Sequence, residues 1–148
     1  MMRFIPFIVA GLILGACETT PLDQDVAAKT LVEDLFAAFN AHDSKALAAF
    51  YTEDAQVISP ETCQPTIGRA AITANYDALF EQIPDVRDNV KTVLVDGNSI
   101  ALTFVASSQI SGQEHELPIA AFITIEDGLI ARDEAYFDTD VTPDCSNP

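Results

Sequence analysis

The sequence predicts an α+β domain in which three N-terminal helices are wrapped by a sheet of antiparallel strands. Two observations predict it. Apolar residues between positions 25 and 82 recur at helical spacing in separate blocks, and beyond Pro84 the pattern switches to β-branched runs punctuated by turns that contain glycine. Length and composition agree with one folded unit. The 148 residues are 49% hydrophobic, enough to bury a core despite a formal net charge of −16.

In chain order, residues 25–40 carry Leu31, Val32, Leu35, Phe36 and Phe39 on one broad stripe, which is helical spacing. Asn40-Ala41-His42-Asp43 interrupts it, and Asp43 is placed to cap a second, shorter helix ending at Phe50 or Tyr51. Residues 55–59 read as a strand closed by Pro60, and 60–67, with two prolines and Cys63, as a loop. A third helix over 68–82 carries Ile72, Tyr76, Leu79 and Phe80 on one side. Strands follow over 90–95, 99–109, 116–125 and 129–137, joined at Gly97, Gly112 and Gly128, where the turns need a positive φ. The 99–109 strand is apolar on both faces. A sheet with one wet face alternates more cleanly. One face is therefore expected to cover the helices and a cavity. The other, assigned Ile100, Leu102 and Phe104, is expected to meet a second copy in a homodimer.

The N-terminus carries an address. Arg3, the apolar run 4–14 and the small residues Gly15-Ala16 have the layout of a secretory signal peptide. With Cys17 directly after it, Leu14-Gly15-Ala16-Cys17 resembles the lipobox of bacterial lipoproteins. That resemblance implies cleavage before Cys17, acylation of its thiol and new amine, and anchoring in the bilayer. Acyl chains contribute about 0.8 kcal/mol per buried methylene, so two or three of them hold almost permanently. Glu18 stands where such lipoproteins often carry an inner-membrane retention Asp, which favours the outer membrane, facing the periplasm. The expected organisation is a signal peptide over 1–16, a tether over 17–24, a domain over 25–140 and a tail over 141–148. The acidic surface excludes nucleic acid as a partner. Without CxxC, HExxH or any Cys/His cluster, no metal or other cofactor is expected. Cys63 and Cys145, an even pair in an exported chain, are expected to form a disulfide.

Phe39-Asn40-Ala41-His42-Asp43, Phe50-Tyr51-Thr52-Glu53-Asp54-Ala55, Gly68-Arg69-Ala70-Ala71-Ile72, Asp127-Gly128-Leu129-Ile130 and Tyr136-Phe137-Asp138, in this order over 26–138, resemble the SnoaL-like branch of the nuclear transport factor 2-like superfamily. The resemblance implies a cone: a strongly curved sheet around the helices, with an apolar pocket between them. It implies no single activity, because the superfamily spans isomerases, cyclases, epoxide hydrolases, dehydratases and binding modules. Carried over position by position, the ketosteroid isomerase base falls on Ser59, its tyrosine on Leu35 and its protonated aspartate on Ala120, so all three groups are missing. The epoxide hydrolase carboxylates fall on Ala120 and Ala135.

Strand parity leaves Asp133 as the one carboxylate expected to look into the pocket, where it is the candidate catalytic base. The other expected ligand-binding residues are Leu35, Phe39, Ser59, Ile72, Tyr76, Phe80, Thr103, Val105, Ala120, Phe122 and Phe137. His42 is expected to face solvent, and His115 to end a hairpin. The preferred reading is a membrane-tethered module that binds a small apolar molecule without catalysis. The alternatives are an enzyme of the cyclase, isomerase or hydrolase type working through Asp133, and a module that uses its acidic surface to bind a partner.

Overall fold

The structure is a computed structural model that describes residues 21–139 and 143–145. Cys17, the signal peptide over 1–16 and the first part of the tether lie outside the described residues. The described chain runs α1 (Pro21–Asn40), α2 (Ser44–Ala48), β1 (Tyr51–Ile58), β2 (Thr66–Ile67), α3 (Arg69–Gln82), β3 (Arg87–Asp96), β4 (Ser99–Ile110), β5 (Gln113–Glu126) and β6 (Leu129–Tyr136). Two expectations change here. Helix α1 reaches back into the expected tether, starting at Pro21, where a missing N–H costs a helix nothing. Only α1 and α2 precede the sheet, and α3 is inserted between β2 and β3.

The six strands form one curved sheet in the order β2-β1-β6-β5-β4-β3. It is mixed rather than antiparallel throughout, because β1 runs parallel to β6. Strands β3 to β6 form the expected hairpin meander. The core lies between its concave face and the helices: Ala28, Val32, Leu35 and Phe39 of α1 pack with Ile72 of α3 and with Ile100, Leu102, Ala121, Ile123 and Ile130 of the sheet.

The turn after α1 sets the entry to the cone. His42 has a left-handed φ of 55°, its N–H donates to the Phe39 carbonyl at 2.8 Å, and the Asp43 N–H donates to the Ala38 carbonyl at 3.1 Å. These two bonds close a Schellman cap, a position usually given to glycine. His42 is held there by its ring. Nε2 donates to the Val86 carbonyl at 2.8 Å, and the imidazole stacks on Phe80 with centroids 4.5 Å apart. It is half-buried and structural, not solvent-facing. Asp43 then caps α2 by accepting from the Ala46 N–H at 2.9 Å.

The inner and outer faces of β4 are the reverse of those expected. Ile100 and Leu102 are buried, and Phe104 packs edge-on against Phe36 with centroids 5.0 Å apart. This stripe is the inner face, so it is not available to a dimer. The outward set is Ala101, Thr103 and Val105, continued on β5 by their register partners Phe122, Ala120 and Pro118. Both stripes are apolar, so period-2 alternation alone does not choose between them. Size does, because the larger Ile, Leu and Phe side chains bury more area than Ala and Thr. The large apolar side chains exposed on the sheet are Leu94, Phe122 and Tyr136, with Ile110 at the end of β4 and Ile67 on β2.

Cys63, in the loop after β1, is joined to Cys145 by a disulfide across 82 residues. A loop of that size stabilises by roughly 4 kcal/mol in the chain-entropy account. Replacing both cysteines by serine is expected to lower the unfolding free energy by about 2–4 kcal/mol in urea titrations. Identical midpoints for the two proteins would show that the bridge does not constrain the unfolded chain.

Candidate functional site

Between the helices and the concave face lies a cavity of about 840 Å³, within the size range of small-molecule sites. One wall is α1 with Leu35, Phe36 and Phe39. A second is α3 with Asn75, Tyr76 and Leu79. The sheet supplies Asp88, Leu102, Phe104, Ala121, Ile123, Asp133 and Ala135, and the mouth is edged by Ser59, Glu61, His115, Glu116 and Asp138.

Asp133 reaches this cavity because of a bulge. Strand pairing steps from Ile125–Ile130 to Thr124–Arg132, so Ala131 is an extra residue that switches the parity of β6. Ile130 and Asp133 thereby point to the same side, Ile130 into the core and Asp133 into the cavity. The parallel pairing of β1 with β6 brings Tyr51 to the same place. Its hydroxyl donates to Asp133 Oδ2 at 2.7 Å.

Tyr51 is held from three sides. Its ring is fully buried, its carbonyl accepts from Arg69 Nε at 3.1 Å and Nη2 at 2.6 Å, and the same arginine pairs with Glu53. Arg69 is aimed by Gly68. That residue has a φ of +88°, and an added Cβ would sit 3.2 Å from the Glu53 carbonyl oxygen, so glycine is required there.

Burial pushes the Asp133 carboxyl above the usual carboxylate range, and the Tyr51 hydrogen bond pulls partly the other way. Tyr51 is pushed far above an ordinary phenol, first by burial and then by the Asp133 charge. It stays protonated and acts only as a donor. The Tyr76 phenol is raised by burial and by Asp133, and it interacts with Tyr51.

Asp88 is a second carboxylate in the cavity, and its placement also follows from a bulge. Pairing steps from Val90–Phe104 to Thr92–Thr103, so Lys91 is the extra residue in β3. Val93 and Val95 pack toward the core from one side of that bulge, and Asp88 reaches the cavity from the other. Its backbone is fixed by Asn40, whose Nδ2 donates to the Asp88 carbonyl and whose Oδ1 accepts from the Asp88 N–H, both at 2.8 Å. Its Oδ1 is sealed from water and has no hydrogen-bond partner. Burial raises its pKa to about 7.

Of the expected ligand-binding residues, Leu35, Phe39, Ser59, Tyr76, Asp133 and Phe137 line the cavity together. Ile72 does not, being fully buried in the core beneath it. Phe80 packs behind the wall, against Phe39 and His42. Thr103, Val105 and Ala120 line a shallow depression on the opposite face of the sheet, and Phe122 is 56% exposed on that face. These four follow the reversed parity of β4 and β5. Tyr51 and Asp88 were not expected. Tyr51 stood in the sequence as a landmark leading into the first strand. Asp88 stood in a polar segment before the expected start of β3. Among the described residues no group of three or more His, Cys, Asp or Glu side chains is arranged to hold a metal ion.

The SnoaL-like domain family matches residues 32–133, well over half of the chain. The chain belongs to the SnoaL-like domain family. Solved structures share the fold. A candidate SnoaL-like polyketide cyclase from Jannaschia sp. CCS1 superimposes with a TM-score of 0.70 at 19% identity, covering 83% of this chain and 92% of its own. A protein with a ketosteroid isomerase-like fold from Catenulispora acidiphila, in complex with trimethylamine, gives 0.69 at 18% identity, covering 76% and 88%. IdmH, a candidate polyketide cyclase from Streptomyces antibioticus, gives 0.65 at 20% identity, covering 74% and 91%. No curated protein matches the sequence.

The buried carboxylates make stability depend on pH. Asp88 titrates near 3.8 when unfolded and near 7 when folded, so between those values the folded state binds more protons. Its contribution is therefore largest in acid and is lost as pH rises toward 7, and Asp133 acts in the same sense. Asp88→Asn is expected to match the native protein near pH 4 and to exceed it by on the order of 2 kcal/mol at pH 8. Denaturant unfolding across that range checks this, and parallel pH profiles for the two proteins would refute it.

Proposed function

We propose that this SnoaL-like domain binds a small, largely apolar molecule in the cone and transfers a proton on it through Asp133. The observation that carries the reading is the Tyr51–Asp133 pair at the cavity wall. Burial raises the Asp133 carboxyl and so makes it a stronger base than an exposed carboxylate, and a phenol locked in its protonated form holds it in one orientation. On this support we put catalysis ahead of the binding-only reading that the missing isomerase groups had favoured. Relatives of the same fold described as polyketide cyclases are in keeping with an apolar, cyclic substrate. Binding without turnover remains the second reading, and Leu35 supports it. It lines the cavity at the isomerase tyrosine position and donates nothing.

A thermal-shift screen of apolar cyclic ketones and epoxides, followed by turnover assays, tests the proposal. Asp133→Asn is expected to abolish turnover, a loss of at least a hundredfold, while leaving affinity within a fewfold. Turnover that survives the substitution rules out Asp133 as the proton carrier, and binding with no turnover in either protein establishes the binding module.

We also propose that the domain works at a membrane surface, as an outer-membrane lipoprotein anchored through acylated Cys17 and facing the periplasm. The Leu14–Cys17 run supports this. Cys17→Ser is expected to move the protein from the membrane pellet to the soluble periplasmic fraction. A variant that still sediments with membranes would contradict acyl anchoring.

A further inference from the structure

We propose that the molecule bound in the cavity carries a protonated amine on an apolar body, and that Asp88 is the group that holds it. The inference rests on the cavity-binding reading above and adds the ligand's charge. Three features of the cavity carry it.

The first is the sign of its lining. Glu61, Asp88, Glu116, Asp133 and Asp138 all line it, and among the described residues no lysine or arginine does. Arg87, beside Asp88 in sequence, is exposed and does not line the cavity, and Arg69 and Arg132 are engaged elsewhere. Arg69 binds the Tyr51 carbonyl and Glu53, and Arg132 binds Glu134 and Gln56. An anionic ligand would meet five carboxylates, with His115 at the mouth as the single described lining residue able to take up a positive charge. The acids at the mouth, Glu61, Glu116 and Asp138, instead raise the local concentration of cations.

The second is the unfinished bonding of Asp88. Asn40 occupies its backbone N–H and carbonyl, no described residue donates to its carboxylate, and Oδ1 is buried without a partner. A buried acceptor left unpaired destabilises the fold, and more so when it is charged. An alcohol or amide supplies a donor without charge. An ammonium supplies three donors and the opposite charge together. The position of the Asp88 titration fits, since the energy that burial adds to its anion is what a cation would return.

The third is the aromatic wall. Phe36, Phe39, Tyr76 and Phe104 line the same cavity. Ring faces attract cations and bury hydrocarbon equally well, so they suit an amine with an apolar body better than a strongly hydrated metal ion.

Three probes with one ring and three head groups test this on the full-length chain at pH 8: cyclohexylmethylamine, cyclohexylmethanol and cyclohexanecarboxylate. Calorimetric titration is expected to show the amine binding at least tenfold more tightly than the alcohol, with no detectable binding of the carboxylate. Asp88→Asn is expected to bring the amine down to the alcohol's affinity, and a near-ultraviolet circular dichroism spectrum matching the native protein's shows that the variant is folded. Asp133→Asn is expected to keep most of the amine preference. Alcohol binding equal to or tighter than amine binding in the native protein overturns this inference while sparing the cavity reading. An amine preference that survives Asp88→Asn overturns the role of Asp88. Failure of all three probes to bind overturns both. If the Asp88 variant does not fold, the native ranking of the three head groups still decides the charge preference.

Discussion

Tyr51 is the residue on which the site depends. It is the first residue of β1, fully buried, and both its carbonyl and its hydroxyl are hydrogen-bonded. Its carbonyl takes two bonds from Arg69 at the start of α3, which ties that helix to the sheet. Its hydroxyl ends on Asp133, which ties β1 to β6. A phenol sealed from water without a partner would destabilise the fold, and a carboxylate in the same place would be worse. Together they satisfy each other, and the parallel pairing of β1 with β6 is what brings them within reach. The same contact that closes the sheet therefore orients the one carboxylate proposed for chemistry. This coupling is why Tyr51 belongs to the fold and to the site at once.

How much of this was legible in the sequence depended on how far period and parity run unbroken. The helices were readable because α1 and α3 keep one apolar stripe, and the capping role of Asp43 was readable because short polar caps act locally. The hairpins were readable from Gly97, Gly112 and Gly128, all of which adopt positive φ. What failed was the choice of face on β4 and β5. Alternating positions there are apolar in both phases, so a slip of one residue exchanged Thr103 and Val105 with Leu102 and Phe104 at no visible cost in pattern. The parallel β1–β6 contact was also out of reach, because it joins segments about eighty residues apart with no local signature.

The bulges at Lys91 and Ala131 account for the rest. Each inserts one residue and exchanges inside for outside partway along a strand. Asp133 was placed correctly because counting back from Phe137 and Ala135 stays on one side of its bulge. Counting on from Ile130 would have turned it outward. Asp88 was missed for the complementary reason. Counted from Val93 and Val95, it falls on the outer face, and only the extra residue at Lys91 returns it to the cavity. Both polar residues thus enter an otherwise apolar concave face where the ladder is broken. Regular alternation supplies the greasy wall, and the irregularities supply its polar points.

That division bears on what the cavity can select. A wall of Leu, Phe, Ala and Ile side chains discriminates weakly, since one methylene more or less changes binding by only about 1–3 kcal/mol. Discrimination has to come from the polar points, and Asp88 and Asp133 differ in a way that gives them separate roles. Asp133 already has a donor, so it can exchange a proton with a ligand without being left unpaired afterward. Among the described residues Asp88 has no donor, and its buried Oδ1 is completed only by something from outside them. A group satisfied from within is suited to turnover, because it returns to the same state after each cycle. A group that only a guest satisfies is suited to recognition, because its penalty is removed by the right head group and kept by every wrong one. The acidic character of the whole chain then reads as more than solubility. It extends to the mouth of the cavity the same preference that Asp88 expresses inside it.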